Sequence, residues 1–577
     1  MVIVPASQRM AALEQRFGNP FAPGNPLGFD AVLDADDRAD AFAAGEAALA
    51  GFGMNAELVP SALGGRFTRL DDLINVARVV TRRDPGLGAG YVTSSLLAAV
   101  CVWLAGNDDQ RRYTADTLLA GHRLACAYHE LDHGNDFAAV DFRARPDGHR
   151  LVLDGRKEVV TNVTRAHAVV TFAATGEPGT PRSHSQLLLR HPDLAHDRVT
   201  RLPRYSSVGL RGIHLGGIAF DSVPVDADRV LGGLGRGAEN TMKAFQLSRI
   251  ALPGMMTPAL DTALRLAVQH LKGRTLYGAP AIGFPHLRMA LVDVFVTLLT
   301  ADAFTTAAAR TLHLHPGEGA LQAAAVKYVV PDLLMRAMDR LATVLGAHSY
   351  LAEGPTAVFQ KLLRDIRAIG VVHVSKAACR MTILPQLPLV ARRPVGPADP
   401  AVFVRDADLP PLDFRALRVT GNGRDHLFGG LRVAAEVLGG EHDAETRLIS
   451  RMAGALAEEG HRRRAQCAAL PTTELGVDAS APTARLVDRY VQLSVVGTCL
   501  ETWRHNHDSG ADWMPAWTAA VLARAEGCRG PLPPHVEDRL FAELLARCTD
   551  DRDLGLSGHH VFGHRVPEPR RALPGTR

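Results

Sequence analysis

The spacing of apolar positions changes character three times along the chain. "LDDLINVARVV" (70–80) and "TADTLLAGHRLACA" (114–127) place apolar residues three and four apart and predict helices from about residue 37 to 122. From about 138 to 225 the pattern breaks into short β-branched runs divided by Gly, Pro and Asp: "RLVLDGRKEVVTNV", "HAVVTFAA", "HSQLLLRHP" and "GGIAFDSVPV". Helical spacing returns from about 237 to 393, as in "AFQLSRIALPGMMTPALDTALRLAVQHLKGR". The Pro-rich "LPQLPLVARRPVGPADP" (384–400) and "DLPPLDF" then read as a linker. Beyond them Leu486, Tyr490, Leu493, Val496, Leu500 and Trp503 form one apolar stripe. The resulting division is a helical domain 1–122, a β-domain 123–236, a helical bundle 237–393, a linker 394–411 and a C-terminal helical extension 412–577. This is an α+β multidomain order, not the βαβ alternation of a dinucleotide fold.

Composition narrows the class. At 577 residues the chain exceeds what one hydrophobic core organises. Its 64 basic and 61 acidic residues leave a net charge of +3, so nucleic acid is not an expected partner. The longest apolar stretch, "SSLLAAVCVWLAG" (94–106), falls short of the roughly 20 residues of a membrane span. The N-terminal sequence lacks a signal-peptide layout. Seven cysteines, odd in number and never in a CxxC pair, suit reduced thiols in a cytoplasm.

The densest chemistry lies in "AYHELDHGND" (127–136), where His129, Glu130, Asp132 and His133 precede a Gly134–Asn135–Asp136 turn. A metal site, an acid–base pair and a loop shaped around a ligand all fit such residues. Ligands so close in sequence seldom converge on one ion, and no metal is assigned. "SGHHVFGHR" (557–565), with His559, His560 and His564, reads as solvated surface. "GGLGRGAEN", with glycines at 233, 235 and 237, has no βαβ unit around it and is not taken as a nucleotide loop.

Taken in order, these motifs resemble the acyl-CoA dehydrogenases and acyl-CoA oxidases, over roughly residues 40 to 390. "HELDHGND" is similar to the family's flavin loop, and His133–Gly134 follows its oxidase form. "GRKEVVTNV" resembles the Gly-x-Lys-x-Trp-Ile-Thr-Asn strand, while "GLRGIHLGGIAFDSVPV", "SRIALPG", "GRTLYG" and "LLRDIRAIG" follow in family order. The resemblance implies an acyl-CoA dehydrogenase-like fold, noncovalent FAD, and a homodimer or homotetramer.

It also implies roles for individual positions. Tyr128, His129, Gly134, Asn135, Val160 and Thr161 would cradle the flavin, with Gly134 allowing close approach of backbone to ligand. Arg274 and Tyr277 of "GRTLYG", Gly346 of "TVLGAHSY" and Ser375 would complete the cofactor contacts, Arg274 reaching the flavin of the other subunit. Asn135 and Arg249 would touch substrate, and Arg364–Asp365 matches a paired Arg-Asp read as an ion pair. The chain departs from the family at Val159, where Trp is usual, at Pro285, where Gln is usual, and at Thr343, Ala347 and Ser349.

The family's catalytic glutamate is absent: His373 stands in its place in "VVHVS", and Ser248 occupies the alternative position. Imidazole can serve as a general base near neutrality, so His373 is the expected base, titrating at about 6–7. The implied reaction is FAD-dependent α,β-dehydrogenation or oxidation of an acyl thioester, carried on CoA or an acyl-carrier protein, with specialised metabolism as one setting. A flavin monooxygenase on the same fold and a degenerate flavin-binding partner protein are the alternatives.

Overall fold

The computed structural model describes residues 3–134, 136, 139–177, 179–180, 182–396, 398–437, 444–506, 511–525, 532–561 and 563. An N-terminal helical layer, from Ala6–Phe17 to Asp108–Leu119, leads into a seven-stranded sheet. A helical bundle and a helical C-terminal extension follow. The stretch Pro85–Ala105 is long and apolar enough to cross a membrane, yet it is packed inside the protein. Among the described residues the cysteines are free thiols.

The strands are β1 (Leu124–Ala127), β2 (Arg143–Asp147), β3 (Arg150–Thr161), β4 (Ala168–Ala174), β5 (His184–Leu189), β6 (Val199–Leu202) and β7 (Leu215–Asp226). They run in the order β1-β4-β2-β3-β7-β6, with β5 paired to the other side of β4. β4 and β5 lie in the interior along nearly their whole length, which is why "AVVTFAA" and "HSQLLL" do not alternate cleanly. β3 pairs with β7 in three segments separated by two irregularities, the second between Lys157 and Val160. There Val159 takes φ +54, an outlier for a β-branched residue, and the strand bends.

The bundle is built on three long helices, Gly237–Lys272, Pro285–Leu314 and Gly319–Leu345. Two prolines lie within the first of them. The short helix Ala357–Ile366 binds the bundle to the N-terminal layer. Lys361, buried to 4% exposure, sits 2.7 Å from Asp84 and 2.5 Å from Asp365, and Arg364 lies 2.6 Å from Asp36. The expected Arg364–Asp365 pair is thus replaced by two pairings with other partners, because successive helix residues point in different directions. The Pro-rich stretch is also not wholly linker, since Leu387–Arg392 and Pro400–Phe403 are helical, with prolines in the first turn where their missing N–H costs nothing.

Candidate functional site

A cavity of about 480 Å³ opens between the bent end of β3 and the helical layers, within the ~300–1,000 Å³ range of small-molecule sites. On the sheet side it is lined by Tyr128, His129, Val159, Val160 and Thr161. Thr93, Ser94 and Leu97 come from the N-terminal layer, Phe245, Leu252 and Met256 from helix Gly237–Lys272, and Ile369 and Val371–Val374 from the segment after Ala357–Ile366. Four positions expected at the cofactor (Tyr128, His129, Val160 and Thr161) therefore converge on one cavity with the expected base, His373.

The loop after β1 is fixed from below. Glu130 accepts hydrogen bonds from the backbone N–H groups of Asp141 (2.8 Å) and Phe142 (3.2 Å), and pairs with the fully buried Lys157 Nζ at 2.6 Å. Burial pushes the Lys157 ammonium down to about 8, partly offset by Glu130. His133 sits 2.7 Å from Asp141, whose carboxylate raises its pKa. Gly134 has φ +56, and a Cβ built there meets nothing within 4 Å. The left-handed backbone by itself calls for glycine here, since no protein neighbour crowds the position. Asn135 lies outside the described residues.

The polar atoms of the cavity wall suit a flavin ring. His129 Nδ1 and Thr93 Oγ1 are buried without a protein partner, and such orphaned groups ask for a ligand's hydrogen-bonding edge. Ser94 Oγ donates to the carbonyl of Thr161 at 3.2 Å, and the buried Tyr128 hydroxyl accepts from Gln186 at 2.5 Å, so these wall groups are already positioned. Val159, at the position where the resemblance implies an aromatic residue, is part of this wall. Apolar side chains form the remaining wall, as a planar heterocycle and an acyl chain both require.

His373 is half-buried at φ +58 and is followed by Val374 at φ +107, two strained residues at the cavity wall. Burial and the nearby Lys327 ammonium push the imidazole down to about 3, below the 6–7 of a free imidazole. Lys327 is itself 2% exposed, is pushed down to about 8 by burial, and donates to the carbonyl of Ile369. The sequence reading missed it, although a lone lysine in the apolar run "ALQAAAVKYVVP" was a visible signal.

The other expected site residues lie off the cavity. Arg249 is buried behind Phe245, donating to Thr382 Oγ1 at 3.2 Å with its Nε unpartnered. Ser375 caps helix Lys376–Ile383 through the N–H of Ala378, so its hydroxyl is engaged by backbone. Arg274 is exposed, 3.2 Å from His270. Tyr277 is 100% exposed, and Gly346 at φ +58 ends helix Gly319–Leu345. A single chain does not bring these last three residues to the cavity.

Residues 235–373 match the family description "Acyl-CoA dehydrogenase, C-terminal domain". The chain is similar to human "Short-chain specific acyl-CoA dehydrogenase, mitochondrial", 25% identical over 338 residues that cover 58% of this chain and 80% of that one. Its fold is similar to butyryl-CoA dehydrogenase from Megasphaera elsdenii, with a TM-score of 0.59 and 20% identity over 66% of this chain and 98% of that one. It is similar also to PigA in its FAD complex, with a TM-score of 0.60 and 15% identity over 66% of this chain and 97% of that one.

Proposed function

Since the chain belongs to the acyl-CoA dehydrogenase family of oxidoreductases acting on CH–CH groups, we propose that it binds FAD and α,β-dehydrogenates an acyl thioester carried on CoA or an acyl-carrier protein. The observation that carries this reading is the cavity that sets His373 across from the Val159–Thr161 end of β3. FAD, when bound, supplies the hydride acceptor. The chain's own residues then have separable tasks. The peptide groups of Val160 and Thr161, the Thr93 hydroxyl and His129 Nδ1 would orient the flavin edge. Phe245, Leu252, Met256 and Ile369 exclude water from the reacting carbons. His373, a residue of the cavity wall and neutral at working pH, accepts the α-proton on its unprotonated ring nitrogen.

The off-cavity positions of Arg274, Tyr277 and Gly346 fit a homodimer or dimer of dimers, in which they would approach the cofactor of a second copy. The free thiols fit a cytoplasmic setting. Anaerobic titration of the purified protein with a panel of acyl thioesters tests the reaction. Bleaching of the flavin absorbance without NAD(P)H is expected, and a flavin-loaded protein that no thioester bleaches would sink it. A flavin monooxygenase is the second reading, favoured by the weak basicity that burial and Lys327 impose on His373. It would show as NADH-linked oxygen consumption in the presence of a flavin reductase.

A further inference from the structure

A second cluster of ligating side chains lies away from the cavity, where helix Pro285–Leu314 turns into helix Gly319–Leu345. His315 and Glu318 at that corner meet His426, the first residue of helix His426–Val437 in the C-terminal extension. Each of the three offers a ligand atom, and these atoms lie within 4.8 Å of one another. The two imidazoles stack with centroids 4.1 Å apart. His426 Nδ1 is 2.6 Å from Glu318 Oε1, and the His426 backbone N–H donates to Glu318 Oε2 at 2.9 Å.

The charge inventory is unbalanced. Besides Glu318, whose side chain is 1% exposed, Asp399 Oδ2 lies 2.8 Å from His315 Nε2, and Asp425 is held by Gln322 (3.3 Å) and Tyr490 (2.8 Å). Among the described residues no Lys or Arg forms an ion pair with any of these three carboxylates, so two imidazoles face three acids. Glu318 is the buried member of the three, and a buried carboxylate without a full cation is costly. The other grouping of this type, Glu130, His133 and Asp141, differs on this point: Lys157 already stands 2.6 Å from Glu130, and Asp141 is exposed.

Two imidazole nitrogens and one carboxylate oxygen, drawn from two separate parts of the chain, suit a cation of borderline softness. The surroundings also match, because Asp399 engages one ring nitrogen of His315 and Gln322 donates to Glu318 at 3.0 Å, as groups around a metal do when they orient its ligands. With metal–ligand distances of about 2.0–2.1 Å, tetrahedral ligands stand roughly 3.3 Å apart, so the 2.6 Å contact would open by less than about 1 Å. We propose that His315, Glu318 and His426 bind one zinc ion, with water completing the shell, and that the ion clasps the C-terminal extension to the helical bundle.

The test uses the untagged full-length protein, stripped with a chelator, dialysed, and titrated with zinc chloride against a chromophoric competitor. Metal content is read by mass spectrometry and unfolding by calorimetry. One zinc per chain and a rise in the unfolding midpoint are expected. His315→Ala, at a partly exposed position that should leave the fold intact by circular dichroism, should weaken binding at least about 100-fold. Asp399→Asn should weaken it about 10–100-fold without abolishing it. His559→Ala/His560→Ala should bind as the parent does. Substoichiometric zinc with an unmoved midpoint, or full binding retained by both His315→Ala and His426→Ala, would overturn the proposal.

Discussion

At the scale of single residues the functional reading turns on His373. An imidazole must be neutral to accept a proton, and one pushed down to about 3 is neutral throughout the working range. No inflection at 6–7 is therefore expected from it. Lys327, at about 8, loses its charge as pH rises through that value, and the neighbouring imidazole then regains basicity. The rate of flavin reduction by substrate, measured anaerobically by stopped flow, should rise through about pH 8. Lys327→Met should remove that rise. His373→Ala should slow the same step by about 10² to 10⁴ with flavin still bound, the usual contribution of a positioned base. An unchanged rate would make the imidazole structural and bring the monooxygenase reading forward.

At the scale of elements, the loop after β1 and the bend in β3 form one unit joined by the Glu130–Lys157 pair. Both partners are buried, Lys157 to 0% and Glu130 to 7% side-chain exposure. Removing one leaves the other as an uncompensated charge, which costs about 3–5 kcal/mol. Lys157→Met should lower the unfolding free energy by that amount in urea and weaken flavin retention, because His129 and Tyr128 precede Glu130 directly. A loss under about 1 kcal/mol would show that water reaches the pair. The motif "HELDHGND" was legible as a loop, yet its acid's partner, 27 positions away on β3, was not.

At the scale of the whole molecule, the C-terminal extension returns to the N-terminal layer. The N–H of Leu554 donates to Asp261 (2.8 Å), which also pairs with Arg82 of the N-terminal layer at 2.5 Å. The N–H of Leu556 donates to Asp302 (2.8 Å). Among the described residues Tyr277 is fully exposed, Tyr350 89% exposed and Leu351 47% exposed. Large apolar side chains presented this way mark contact surfaces. A homodimer or a dimer of dimers is expected by light scattering at micromolar concentration, with closed symmetry. A flavin-loaded monomer would contradict the assembly without touching the chemistry.

The sequence by itself determined the order of helical layer, β-domain, bundle and extension, because apolar spacing reports which face of each element is buried. The family resemblance of its motifs implied a common site for Tyr128, His129, Val160, Thr161 and His373, which line one cavity, and also for Arg249, Arg274, Tyr277, Gly346 and Ser375, which do not. Only the tertiary structure decided what those groups become. The proximity of Lys327 to His373, the separate partners of Arg364 and Asp365, the capping role of Ser375 and the meeting of His315 with His426 are all long-range contacts or local geometries. A buried group's basicity depends on such neighbours and on the water they exclude, and neither is written in residue order.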